Sequence, residues 1–265
     1  LAVSDDIFFY ELGGGYRDTF KGLGSKLIGQ YASAFGLGEP TGIELLGESA
    51  GLVPTSKWKR IWYAESWLTG DTYNMSIGQG YLLATPIQMA NATAAIANRG
   101  TLYEPQLVDY LTDENGNVVK PFEAKVLRTV PVDARYLDLV REGMYGAINF
   151  PDGTATRVRV PGVVIAGKTG TAEFARDWNK DGKPDRDDKD NLPTHAWFTA
   201  FAPYVDPEIV VTVFVMNGGE GSGVAAPIAN EVLNAYFALK NPPEQTGPAD
   251  VPTPTPTTPA VGGTQ

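Results

Sequence analysis

Two apolar runs near the C-terminus, 195–204 and 208–216, are separated only by Val205-Asp206-Pro207. Both are rich in aromatic and β-branched residues, and so short a break containing proline turns the chain back on itself. The pair therefore reads as a strand hairpin. A third strand is expected at 157–168, and a helix at 224–240, where Ile228, Val232, Leu233 and Phe237 form an apolar set. The N-terminal half reads as helical. A first helix is expected over 3–12, capped by Ser4 or Asp5 and stopped by Gly13-Gly14-Gly15. A second spans 21–35, with Leu23, Leu27, Tyr31 and Phe35 near helical spacing. Ile87–Asn98, entered through Pro86, and 133–148 are two more. Residues 38–72 read as a long packed loop with short helical pieces, and 101–130 as a β-hairpin turning at Asn115-Gly116. The pattern is one α+β unit over 1–240. Residues 241–265, a Pro/Thr-rich tail, are expected to be disordered or extended.

Bulk properties exclude several functions. The 265 residues carry a net charge of −10, which argues against nucleic acid or an anionic membrane surface as partner. There is no cysteine and a single histidine, His195, so disulfides, thiolate metal sites and histidine clusters are excluded. Absence of cysteine suits an oxidising compartment. No apolar run is long enough to span a membrane. The chain opens at Leu1 without an initiator methionine, so any targeting or anchoring element is expected upstream.

The chemistry lies in Ala166-Gly167-Lys168-Thr169-Gly170-Thr171-Ala172-Glu173, which follows the strand-like Val163-Val164-Ile165. At a strand's end, lysine supplies positive charge, threonine hydroxyls bind a carboxylate, and glycine lets a substrate backbone approach. The Thr171 N–H is placed to serve an oxyanion. Far upstream, Ser4-Asp5-Asp6 reads by itself as a helix N-cap; with Lys168 in the same chain it reads as the second wall of an acyl-transfer cleft. Ser56-Lys57-Trp58-Lys59 has the spacing of a nucleophile motif, but it follows Pro54 in a basic-aromatic run and reads as surface loop. Gly218–Gly223 lacks the lysine of a phosphate cradle and reads as a flexible loop. Trp197 and Phe198 read as core, and His195 as a structural partner at a strand start.

Taken in order, Ser4-Asp5-Asp6-Ile7-Phe8-Phe9-Tyr10, Gly51-Leu52-Val53-Pro54, Gly70-Asp71-Thr72-Tyr73-Asn74-Met75-Ser76-Ile77-Gly78-Gln79-Gly80, Thr85-Pro86-Ile87-Gln88, Gly153-Thr154-Ala155, Gly167–Ala172 and His195-Ala196-Trp197-Phe198 resemble the C-terminal part of the transpeptidase domain of class B penicillin-binding proteins of the elongation type. The resemblance implies a serine-transpeptidase and β-lactamase-like α+β fold, present in part: an antiparallel sheet with a C-terminal helix packed on it and a helical subdomain. It implies a D,D-transpeptidase that cross-links peptidoglycan stem peptides through a serine acyl-enzyme and binds β-lactams, with no cofactor required. Ser4, Asp6 and Lys168 would be catalytic, with Ser4 relaying protons and Asp6 holding a substrate amide. Thr169, Gly170 and Thr171 would bind substrate. The family's Ser-x-x-Lys does not precede Ser4 here, so the nucleophile is expected from an upstream part of the same polypeptide and the isolated chain is expected to be inactive. Expected partners are stem peptides, β-lactams and the cell-wall elongation machinery, at the extracytoplasmic face of a bacterial membrane. Two alternatives stand beside this reading: a non-catalytic peptidoglycan- or β-lactam-binding module, and a serine β-lactamase or β-lactam sensor.

One segment departs from the family pattern. Within a rim insertion at 174–194, the run 177–188 has oxygen-bearing residues at the spacing of a calcium loop: Asp177, Asn179, Asp181, Asp185 and Asp188, with Gly182 at the sharp turn. The alternative is a solvated acidic loop.

Overall fold

The computed structural model describes residues 1–175, 177, 180, 183–187 and 189–240. The tail at 241–265 lies outside them.

Five helices occupy the N-terminal part: α1 (Asp6–Gly14), α2 (Gly24–Ala34), α3 (Ser56–Tyr63), α4 (Thr69–Ser76) and α5 (Pro86–Ala97). Each of the well-capped ones starts where its side chains permit. Asp5 Oδ1 accepts the N–H groups of Ile7 and Phe8 at 3.0 and 3.3 Å. Thr55 caps α3, and Thr85 with Gln88 forms a reciprocal box at the start of α5, entered through proline. Short strands β1 (Thr101–Tyr103), β2 (Leu111–Thr112), β3 (Val118–Lys120) and β4 (Val126–Thr129) build two small antiparallel ladders, β1 with β4 and β2 with β3. The turn between β2 and β3 is wider than an Asn-Gly pair: Asp113 N–H donates to Asn117 O at 2.9 Å, and the Asp113 carboxylate accepts the Asn115 and Asn117 N–H groups.

Helix α6 (Ala134–Asn149) leads to the central sheet of β5 (Ala166–Glu173), β6 (Thr194–Ala202) and β7 (Ile209–Val215), antiparallel in the order β5-β6-β7. A π-helical turn at Gly221–Ala225 opens α7 (Ala226–Lys240). Alternation along β6 makes the layers. Ala196, Phe198, Ala200 and Ala202 are buried in one cluster with Ala226, Ala229, Leu233 and Phe237 of the C-terminal helical segment. The alanines let that helix approach closely. Burial of Phe198, Leu233 and Phe237 stabilises this layer by about 1.5–3 kcal/mol each. On the opposite face Phe201 joins Ala97 of α5 and Met144 of α6. The result is helix, sheet, helix, an α+β architecture with β5 at a sheet edge.

Three expectations need correction. The strand expected over 157–168 starts only at Ala166. Pro161-Gly162 makes a turn closed by Val163 N–H to Val160 O at 3.1 Å, with Gly162 at φ 73°, so no strand crosses it. The strand then runs on to Glu173, which puts Lys168-Thr169-Gly170 within it rather than at its end. Second, Ser56-Lys57-Trp58-Lys59 is helical, and Lys59 is buried at 2% exposure. Trp58, Tyr63 and Tyr81 pack edge to face around this short helix, a tertiary contact that its sequence alone did not announce. Third, Gly218–Gly223 is not a free loop. Gly221 is buried, and a Cβ there would come within 2.3 Å of the Gly170 and Trp197 carbonyl oxygens, so only glycine permits the approach.

Candidate active site between α1 and the edge of β5

A cleft of about 410 Å³ separates the start of α1 from the outer edge of β5 and is lined by Ser4, Asp6, Lys168, Thr169, Gly170 and Thr171 among others. Both sequence motifs therefore meet. Across 164 residues of chain, Lys168 Nζ donates to Ser4 Oγ at 2.8 Å. The same ammonium donates to Thr169 O at 2.7 Å.

The two N-terminal candidates for the cap of α1 divide the labour. Asp5 takes the cap, which leaves the Ser4 hydroxyl to Lys168. Ser4 has φ 56°, a left-handed conformation uncommon outside glycine, asparagine and aspartate. That backbone geometry is the kind the surroundings must hold in place. Burial pushes the Lys168 ammonium below the ordinary lysine pKa of 10.5, and the Asp6 carboxylate offsets part of this. Because Nζ donates to Ser4 Oγ, the Ser4 hydroxyl proton is left to point elsewhere in the cleft.

The rest of the β5 wall is anchored from behind. Thr169 Oγ1 donates to Thr154 Oγ1 at 2.9 Å, which explains why Gly153-Thr154-Ala155 stands in the sequence pattern. Gly221 N–H donates to Thr171 Oγ1 at 3.3 Å, tying the turn before α7 to the same strand. With the two threonine hydroxyls so engaged, the outer edge of β5 presents backbone and the Lys168 ammonium to the cleft.

The opposite wall ends in residues that motif reading did not single out as functional. Ser76, Ile77 and Gln79, from the C-terminal end of α4, also line the cleft. Gln79 Nε2 donates to Thr171 O at 3.3 Å. The Gly-Gln-Gly run was visible as a family match, but its position opposite β5 arises from packing. Helix α4 is in turn held by Lys59, whose ammonium donates to Asp71 at 2.7 Å and lies 3.3 Å from Glu65. The Asp71 contact, followed by that to Glu65, raises the Lys59 pKa above 10.5. Lys59 is thus a paired structural cation. Ser56 sits exposed at the start of α3, outside the cleft.

His195 is structural as read: Nδ1 accepts the Asn217 N–H at 3.0 Å, and the ring stacks on Phe174 with centroids 4.0 Å apart. Phe198 is core, whereas Trp197 is only partly buried against Phe214. Of the calcium-loop residues, Asn179, Asp181, Gly182 and Asp188 lie outside the described residues. Asp177 and Asp185 are described, and among the described residues no group of three or more metal-ligating side chains converges.

Comparison with known proteins gives the family. Residues 1–234 match the family model described as the penicillin binding protein transpeptidase domain. The peptidoglycan D,D-transpeptidase MrdA of Haemophilus influenzae is 35% identical over 246 residues, which is 91% of this chain and 36% of that protein. The crystal structure of Pseudomonas aeruginosa PBP2 in complex with WCK 5153 is 34% identical, with a TM-score of 0.70, covering 88% of this chain and 47% of that one. A complex between PBP2 and MreC from Helicobacter pylori is 29% identical with a TM-score of 0.66, covering 89% and 39%. The chain spans little more than a third of the length of the curated relatives it matches first. With its helix–sheet–helix layers and a lysine–serine pair bridging the cleft, the chain belongs to the penicillin-binding protein transpeptidase family, on its class B, elongation-type PBP2 branch.

Proposed function

We propose that this chain forms two walls of a serine-type peptidoglycan D,D-transpeptidase, and that the attacking serine comes from a segment outside residues 1–265. The observation that carries the reading is the 2.8 Å bond between Lys168 Nζ and Ser4 Oγ. In the reaction, the attacking serine adds to the carbonyl between two D-alanines, the C–N bond breaks, and the terminal D-alanine leaves with a proton. An amine of a neighbouring stem peptide then takes the acyl group from the serine. Ser4, with its oxygen engaged by Lys168, is placed to pass its proton to the leaving amine. Asp6 faces the same cleft, where it accepts a substrate amide N–H, and Lys168 attracts the substrate carboxylate. The backbone edge at Thr169, Gly170 and Thr171 pairs with an extended peptide, as exposed strand edges do. The Thr171 N–H, on the same edge as its carbonyl, serves the oxyanion.

β-Lactams would acylate the same serine, and no cofactor is needed for these steps. The likeness to the PBP2–MreC complex supports placing the parent protein in cell-wall elongation machinery, outside the cytoplasmic membrane. No described helix is long and apolar enough to cross a membrane. Fluorescent penicillin labelling tests the reading. A longer polypeptide carrying an upstream Ser-x-x-Lys should label covalently, and residues 1–265 alone should not. Labelling of the short chain, mapped by mass to Ser56, would overturn the assignment of the nucleophile. No labelling of either would favour a module without chemistry.

A further inference from the structure

Adjacent residues of a strand direct their N–H and C=O groups to opposite edges. Thr169 O and Thr171 O thus share the outer edge of β5, which has no strand beside it among the described residues. Neither carbonyl is open. Thr169 O accepts from Lys168 Nζ at 2.7 Å, and Thr171 O accepts from Gln79 Nε2 at 3.3 Å. The two caps differ in origin. Lys168 belongs to β5 itself, whereas Gln79 reaches over from the opposite wall.

The position of Gln79 is set by how α4 ends. Gly78 adopts φ 77°, its N–H donates to Met75 O at 3.1 Å, and the Gln79 N–H donates to Asn74 O at 2.8 Å. Those two bonds fix the backbone of Gln79 to the last turn of the helix. On the other side, Gly221 holds Thr171 through its hydroxyl. Two independently anchored elements therefore meet at one carbonyl through a single carboxamide, that of the half-buried Gln79.

We propose that Gln79 is a gating residue of this cleft: its carboxamide caps Thr171 O in the free protein and yields that carbonyl to the amide N–H of an incoming extended peptide. Edge strands are commonly protected from stray pairing, and a movable cap protects this one while keeping it usable. The inference rests on the peptide-binding reading above. It adds that binding begins with the loss of a hydrogen bond within the protein. Every ligand that displaces the cap meets the same cost, and only one with an N–H in register recovers it.

The test is a titration of the ¹⁵N-labelled chain with N-acetyl-L-lysyl-D-alanyl-D-alanine, followed by NMR. The variants are Gln79→Ala and Gln79→Met, the second keeping the shape of the side chain without its donor. Both should bind the tripeptide more tightly than the unaltered chain, by about two- to tenfold, because no capping hydrogen bond has to be broken. Saturation of the unaltered chain should move the Gln79 carboxamide resonances to the position of a solvent-exposed amide. The ester analogue that lacks the N–H of the penultimate D-alanine should bind more weakly than the tripeptide to all three proteins, by a similar factor. Unchanged or weaker tripeptide binding by both variants, with binding by the unaltered chain intact, overturns the gate alone. Absence of tripeptide binding by all three proteins overturns the peptide-cleft reading and the gate with it.

Discussion

Lys59 is buried and Lys168 half-buried, and their surroundings are opposite. At the edge of β5, Lys168 meets a hydroxyl and a carbonyl at hydrogen-bonding distance, with the Asp6 carboxylate acting only through its charge. At the junction of α3 and α4, Lys59 meets two carboxylates, and Asp71 also accepts the Leu68 N–H at the start of α4. Burial lowers the pKa of the first; direct ion pairing raises that of the second. Neutral partners leave an ammonium responsive to substrate, whereas carboxylates in contact consume it as a clamp. The Ser-x-x-Lys spacing at 56–59 is therefore no guide to reactivity, because the lysine's partners decide its role.

The largest expected effect separates the two lysines by function. In a labelling-competent longer polypeptide, Lys168→Met should cut the acylation rate by about a hundredfold or more, the usual loss when one preorganised electrostatic group is removed. It should do so while leaving the folded state intact. Lys59→Met should act in the reverse order. Its primary effect is on stability, since Asp71 would be left with its cation gone, and thermal unfolding should occur at a markedly lower temperature. Activity should fall only as α4 loosens, and Lys59→Arg should recover much of both. Equal loss of activity with unchanged stability in both variants would erase the distinction.

Alkaline titration sharpens the same contrast at smaller amplitude. The folded-state pKa of Lys168 lies below 10.5, so just below that pH the unfolded chain binds more protons and stability gains from Lys168 as pH rises. Lys59 has its folded-state pKa raised, so its contribution is fully present below 10.5 and is lost as pH climbs through the raised value. Subtracting the stability–pH curve of each Met variant from that of the parent chain should give slopes of opposite sign. Denaturant unfolding between pH 8 and 11 measures both; slopes of one sign would mean that the two environments have been misjudged.

The smallest effect belongs to the rim. We propose, from ligand spacing alone, that 177–188 binds calcium weakly, at about 10⁻⁴–10⁻³ M, as extracellular calcium modules do. Calorimetry should show a calcium-dependent heat that Asp177→Ala/Asp181→Ala abolishes. An identical response from the double variant would leave a solvated acidic loop.

Much of the site was legible before the structure, though unevenly. Lys168, Thr169, Gly170 and Thr171 could be read because Ser4-Asp5-Asp6 and the other ordered family matches accompany them; a Lys-Thr-Gly alone is common at strand ends. Ser4 was harder, since Ser4 and Asp5 are both good caps by type, and only the observed bonds assign the cap to Asp5. Gln79 lies within a matching run, but nothing local marks a glutamine as facing a strand far along the chain.

What the sequence determined by itself is whatever depends on neighbours along the chain. The hairpin of β6 and β7, the amphipathic faces of α6 and α7, the proline entry of α5 and the identity of both motifs follow from short-range pattern and residue chemistry. Tertiary structure decided what depends on partners distant in sequence. The turn at Pro161-Gly162 could be read locally in hindsight. The burial of Lys59, however, needed Asp71, Glu65 and Tyr81 to arrive around it. Likewise the Lys168–Ser4 bond, the fall in the Lys168 pKa and the capping of Thr171 by Gln79 exist only once sheet and helices enclose the cleft. Hydrogen bonding and desolvation act over a few ångströms in space and are indifferent to separation along the chain, which is why motif spacing named these groups and packing gave them their chemistry.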